Sequence, residues 1–289
     1  MEIGRKIQLK QTNENPAIDS KATKVVQPID PTEHRKTNSP LDITDKPTWG
    51  PVVGIVYSLG LAFIGGSTIA ALLVSFALTA SGMHTSTIND WYSTAWGAFI
   101  YSFATAIIAV GVIALYVSKS RSSWRSLGVI SPRWKHVGIA VAAVFVYLAI
   151  YVVVISVVKT LVPAINLEQQ QDLGIASPHG IRELVLVFIT LVLLPPIMEE
   201  TIFRGFMFAG LRTKLPFIVS ALITSVLFAL GHLQFGSSAP LLWVAAIDTF
   251  VLSMVMCYVR ERTGSIIPTM IMHALKNLLA FSFLYIFVS

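Results

Sequence analysis

An all-α, polytopic transmembrane bundle of about seven to eight spans behind a disordered polar N-terminal tail is the fold this sequence predicts. Three observations predict it. Of 289 residues, 54% are hydrophobic and only 12% charged, where a soluble domain carries roughly 25%. Too few charges remain to cover a water-facing surface, and the mean hydropathy of +0.71 agrees. The apolar residues also fall in runs of about twenty, long enough to cross a bilayer as helices. Finally, basic residues gather in alternate connections between those runs.

The tail, residues 1–49, is rich in Lys, Asp, Glu, Asn, Thr and Pro and has no apolar run able to nucleate a core. No apolar stretch backs a basic start, so no secretory signal peptide is expected and the first span serves as an uncleaved anchor. Apolar runs then stand at roughly 52–80, 93–117, 137–162, 183–212, 216–233, 240–259 and 266–288. Helix is the only choice for them, because lipid leaves an open sheet edge unsatisfied. The fourth run is long for one span, and Pro195-Pro196 interrupts it. Two missing amide donors predict a kink, a steep tilt or a pair of half-helices. Residues 50–165 are poor in ionisable groups and read as scaffold; residues 180–289 read as the core that carries chemistry.

Loop charge sets the expected orientation. Lys119, Arg121, Arg125, Arg133 and Lys135 lie in the second connection, Arg212 and Lys214 in a later one, Arg260 and Arg262 in another. The connections at 81–92, 163–182 and 234–239 hold at most Arg182. The alternation places the N-terminus in the cytoplasm of a multi-pass cell-membrane protein. The net charge of +6 therefore belongs to lipid orientation, and no nucleic-acid partner is implied. A single cysteine, Cys257, excludes an internal disulfide and reads as an inert core thiol.

Ionisable groups inside a span are costly, so each is a candidate for function. Glu200 and Arg204 are spaced i, i+4 and share a helix face, where they can pair. Glu199 points about 100° away and keeps a carboxylate free for proton transfer. Phe228 and His232 share a face of the fifth run, and His273 and Asn277 a face of the last. A carboxylate, two imidazoles and a carboxamide thus stand on three helices. Glu199 and His232 suit activation of water, and His273 and Asn277 suit donation to an oxyanion. Each piece alone has a bland reading: a lone His or Asn in a span is packing glue. Counting from helix ends puts Glu199 and His273 near mid-bilayer and His232 one or two turns nearer the outer side. Lys276 is a candidate partner for Asp248 on the sixth run, from residue type alone.

The series EETIFRG, FALGH and HALKN resembles the CPBP family, the CAAX-processing and bacteriocin-processing (Abi) membrane proteins that include Rce1-type CAAX proteases. The resemblance covers roughly residues 185–280. It implies a glutamate-dependent intramembrane peptidase without a cofactor. By position it makes Glu199 the base that activates water, assisted by His232. It makes His273 and Asn277 the oxyanion donors, and Glu200 and Arg204 the supporting pair. The expected partners are the bilayer and a membrane-bound peptide or protein substrate. Three alternatives stand beside it. One is a zinc protease using Glu199, His232 and His273, which lacks the HExxH helix of such enzymes. Another is a non-proteolytic scaffold or bacteriocin self-immunity factor. The third is a secondary transporter with Asp248 and the glutamates as proton relay, for which no repeat symmetry is visible.

Overall fold

The computed structural model describes residues 46–287, apart from residues 170, 172 and 235–240. The expected disordered tail lies, as far as Asp45, outside the described residues. Eight helices follow: α1 (Pro51–Ala80), α2 (Thr85–Tyr92), α3 (Ala95–Lys119), α4 (Trp134–Leu161), α5 (Ile181–Arg212), α6 (Phe217–Leu230), α7 (Trp243–Thr263) and α8 (Ile267–Phe287). Six of these are long and apolar enough to cross a membrane; α6, with 14 residues, is shorter. The chain is a multi-pass membrane protein built as a helical bundle. Two details of the helix pattern differ from expectation. The fifth run is a short helix that stops at Leu230, and the 81–92 connection contains α2.

Helix α5 is the axis of the bundle. From Glu200 to Leu211 every residue is buried, the mark of a helix enclosed by protein on all sides. Its C-terminal half packs against α1, α3, α6 and α7, and its N-terminal half meets α3 and α8. The outer faces of α1 and α4 carry exposed Phe76 and Phe145, as lipid-facing positions should. The prolines do not split α5. The turn before them, Ile189–Leu193, and the turn after the glutamates, Thr201–Met207, are both wound wide as π-helix. In α winding Leu191 O would accept from residue 195, and in π winding from residue 196; both are proline and have no N–H. The Asn277 carboxamide of α8 supplies the missing donor, Nδ2 to Leu191 O at 2.9 Å.

The connection between α3 and α4 plugs into the bundle. Leu127 is fully buried, and a Cβ added at Gly205 would lie 3.3 Å from Leu127 O. Gly128 adopts φ +83°, a conformation that favours glycine, and its carbonyl accepts from Ile266 N at the start of α8 (3.0 Å).

Trp49, assigned above to the disordered tail, is instead 2% exposed. Its ring stacks on Phe206 with centroids 4.4 Å apart, and its indole N–H donates to Phe206 O at 2.9 Å. Ser58 on α1 donates likewise to Ile202 O (3.1 Å). An aromatic residue with a polar handle gains both apolar burial and a backbone acceptor here, which a polar tail average conceals. Gly210 makes room for it: a Cβ there would stand 2.7 Å from the Trp49 ring. Gly210→Ala should therefore displace Trp49 and lower stability by about 1–3 kcal/mol, read as a lower thermal midpoint in detergent.

Candidate active site

The sequence EETIFRG places two adjacent carboxylates at the junction between ordinary α winding and the second wide turn of α5. Glu200 and Arg204 are both fully buried, and Arg204 Nη1 donates to Glu200 Oε1 at 2.9 Å. The guanidinium carbon also lies 4.3 Å from the centroid of Phe228 on α6, a cation–π contact strengthened by the absence of water. Glu200 Oε1 receives a second donor, Nδ1–H of His273 on α8, at 3.0 Å. One carboxylate oxygen thus joins α5 to α8, while its cation joins α5 to α6.

Glu199 stands apart from that pair, as the helical spacing predicts. Its Oε2 is buried without a hydrogen-bond partner. His273 Nε2 lies 3.9 Å from it, too far for a hydrogen bond. Three cavities share Glu199 in their walls. One, of about 440 Å³, is also lined by His232, His273 and Asn277, and reaches Gln171, Leu173 and Leu284. A second, of about 640 Å³, runs between α1 and α3 past Asn89, Tyr92 and Tyr101. The third, of about 260 Å³, is mainly apolar and reaches His232 between α1 and α6.

His232 is not on a helix face. It lies in the turn after α6, with Nδ1 2.9 Å from Phe228 O. A carbonyl only accepts, so in the neutral ring Nδ1 carries the proton and Nε2 presents a lone pair. The shortness of α6 answers the depth mismatch expected from a full span: the helix stops early and its final turn delivers His232 to the cavities that Glu199 lines.

Asn277 lines the largest of the His232 cavities while one Nδ2 hydrogen is committed to Leu191 O. The suspected pair of Lys276 with Asp248 is present, Nζ to Oδ2 at 3.2 Å. Sequence reading missed its third member: Tyr147 of α4 donates to Asp248 Oδ1. This trio ties α4, α7 and α8 beside the cavity. A lone acid in mid-span was the only hint of it; nothing in the α4 sequence singles out Tyr147. Cys257 is fully buried, in keeping with a core thiol. Among the described residues, no three His, Cys, Asp or Glu side chains gather closely enough to hold a metal ion.

Fold and site together define an all-helical, multi-pass membrane protein whose polar groups converge on one helix junction. Residues 181–279 of the chain match the family model of type II CAAX prenyl endopeptidase Rce1-like proteins. A protein of Escherichia coli described as an uncharacterized 24.3 kDa protein is 30% identical over 99 residues; these span 34% of this chain and 43% of that protein. No solved structure matches.

Asn277 and the prolines are linked in a way that a double-mutant cycle resolves. Asn277→Ala leaves the Leu191 carbonyl without a donor, a loss of about 1–3 kcal/mol. Pro195→Ala returns an N–H in α register, so much of that loss should disappear in the double variant. Thermal unfolding of the four proteins measures the coupling; equal losses with and without Pro195 would sever the link.

Proposed function

We propose that the protein is an intramembrane endopeptidase. It hydrolyses a peptide bond of a membrane-associated or lipidated peptide or protein, using water activated by Glu199 and His232. The observation that carries this reading is the unpartnered, buried oxygen of Glu199 at the meeting point of three cavities. The match to a protease family over residues 181–279 supports it.

The groups suit the chemistry in order. A water held between Glu199 and the free Nε2 of His232 gives its proton to Glu199 as its oxygen attacks the carbonyl carbon. The carbonyl π electrons move to oxygen, where His273, protonated at Nε2, and the second Nδ2 hydrogen of Asn277 donate to the oxyanion. Glu200 holds the His273 ring through Nδ1–H, while Arg204 balances the charge of Glu200. Collapse then re-forms the carbonyl, breaks the C–N bond and passes the proton from Glu199 to the leaving amine.

Glu199→Gln removes the base with little change in shape. General-base catalysis is worth about 10²–10⁴-fold, so the variant should accumulate uncleaved substrate in the membrane. The check is quantitative comparison of membrane peptides from cells carrying wild type and Glu199→Gln. A phenotype preserved in full by the variant would instead point to a non-proteolytic scaffold or self-immunity factor. Cleavage abolished by a zinc chelator would favour the metal-dependent alternative.

The two larger cavities run toward one end of the bundle, where the α4–α5 connection supplies Leu173 to both. That end is poor in cations, and Lys159 there is engaged by the carbonyls of Pro163 and Ile165. By the positive-inside rule it faces away from the cytoplasm, and the scissile bond reaches Glu199 from that side. Cysteine placed at Ser93 should react with a membrane-impermeant maleimide in intact cells, and cysteine at Ser122 only after permeabilisation. The reverse pattern overturns the entry side without touching the catalytic reading.

A further inference from the structure

A different cavity lies at the cation-rich end of the bundle, with no part in the groups around Glu199. It holds about 300 Å³ and is lined by Lys46, Ser126, Arg212, Thr213, Arg260 and Glu261, among others. Arg260, one turn from the end of α7, is only 6% exposed. The other buried or half-buried cations of the spans have carboxylates: Glu200 for Arg204, Glu261 for Arg212, Asp248 for Lys276. Arg260 has none among the described residues. Its Nε is buried without any hydrogen-bond partner.

The neighbouring acid does not fill the gap. Both oxygens of Glu261 are taken by Arg212, at 3.0 and 2.7 Å. The Arg260 guanidinium is instead pressed against Gly128: a Cβ there would lie 2.6 Å from its Cζ and 2.7 Å from Nη2. Gly128 thus gives the guanidinium space, but its backbone brings no negative charge. A cation taken out of water without a counter-charge is costly. The cavity therefore concentrates positive charge, from Arg260 inside and Lys46 at its rim, with one buried donor unmet.

We infer that this cavity binds a phosphate-bearing anion, seated against the Arg260 guanidinium. Depth favours a phospholipid headgroup as the source. The cavity sits where α5 and α7 end, beside Ser126 of the α3–α4 connection and Lys46 ahead of α1. Helix ends of a spanning bundle lie at headgroup level, and basic pockets between helices on the positive side take anionic headgroups. Planar guanidinium groups match phosphate oxygens in bidentate fashion.

The test uses the full chain, purified in a neutral detergent and stripped of lipid by extended washing. Dihexanoyl phosphatidylglycerol, dihexanoyl phosphatidylcholine and inorganic phosphate are titrated separately while thermal unfolding is followed. Saturable stabilisation of wild type by phosphatidylglycerol, reduced at least tenfold in apparent affinity by Arg260→Met, is the expected result. Stabilisation by inorganic phosphate as well assigns the site to phosphate itself, and its absence assigns it to the lipid. Should Arg260→Met fail to fold, Lys46→Ala at the rim serves, with an expected severalfold weakening. Equal responses in wild type and variant, equal stabilisation by phosphatidylcholine, or no saturable response at all would overturn the proposal. Glu199 plays no part in this readout, so a failed peptidase reading leaves it standing.

Discussion

Burying the Glu200 carboxylate at the centre of the bundle is the constraint on which the rest depends. A negative charge without water must be answered by donors fixed in place, because losing one partner leaves a charge that nothing else screens. Arg204 answers it from the next turn, and His273 answers it from α8 through the same oxygen. Arg204 in turn rests on Phe228. Three helices are therefore tied together through one buried ion pair, and the backbone step from residue 200 back to 199 turns the second carboxylate toward the cavities. Glu199 is free because Glu200 is not.

The prolines act on the same geometry from the other direction. They deny Leu191 O a donor in either helical register, so α8 must approach closely enough for Asn277 to supply one. A side chain that reads as an oxyanion donor is thereby also a backbone patch. The two roles are compatible, since a carboxamide has two N–H groups. Wide turns on either side of Leu194–Glu200 accommodate the mismatch without breaking the helix, in line with the frequent siting of π turns near functional residues.

Helical periodicity made the Glu200–Arg204 pair, the isolation of Glu199 and the shared face of His273 and Asn277 legible in the sequence. These are relations within one helix, which spacing alone dictates. Relations between helices were less accessible. Composition averaged over the tail hid Trp49, whose burial depends on a partner 157 residues away. Leu233 extended the fifth run past its true end, since hydropathy does not register where a backbone turns. Tyr147 was invisible for a third reason: a tyrosine in a span acquires meaning only from Asp248, which reaches it from another helix.

The two ends of the bundle divide the work through charge. At one end, connections with few cations border cavities that lead to a free carboxylate. At the other, the α3–α4 connection plugs the bundle with Leu127 and Gly128, and the connections there are rich in cations. A peptide bond approaching the cation-rich end would meet this plug and then the closed packing of residues 200–211 before any cavity near Glu199. The same buried stretch that fixes the site therefore also gives it a direction. In the proposed peptidase, water and polypeptide would reach the carboxylate through the cavities on one side, and the proposed anion site at the plugged end would not compete for that space.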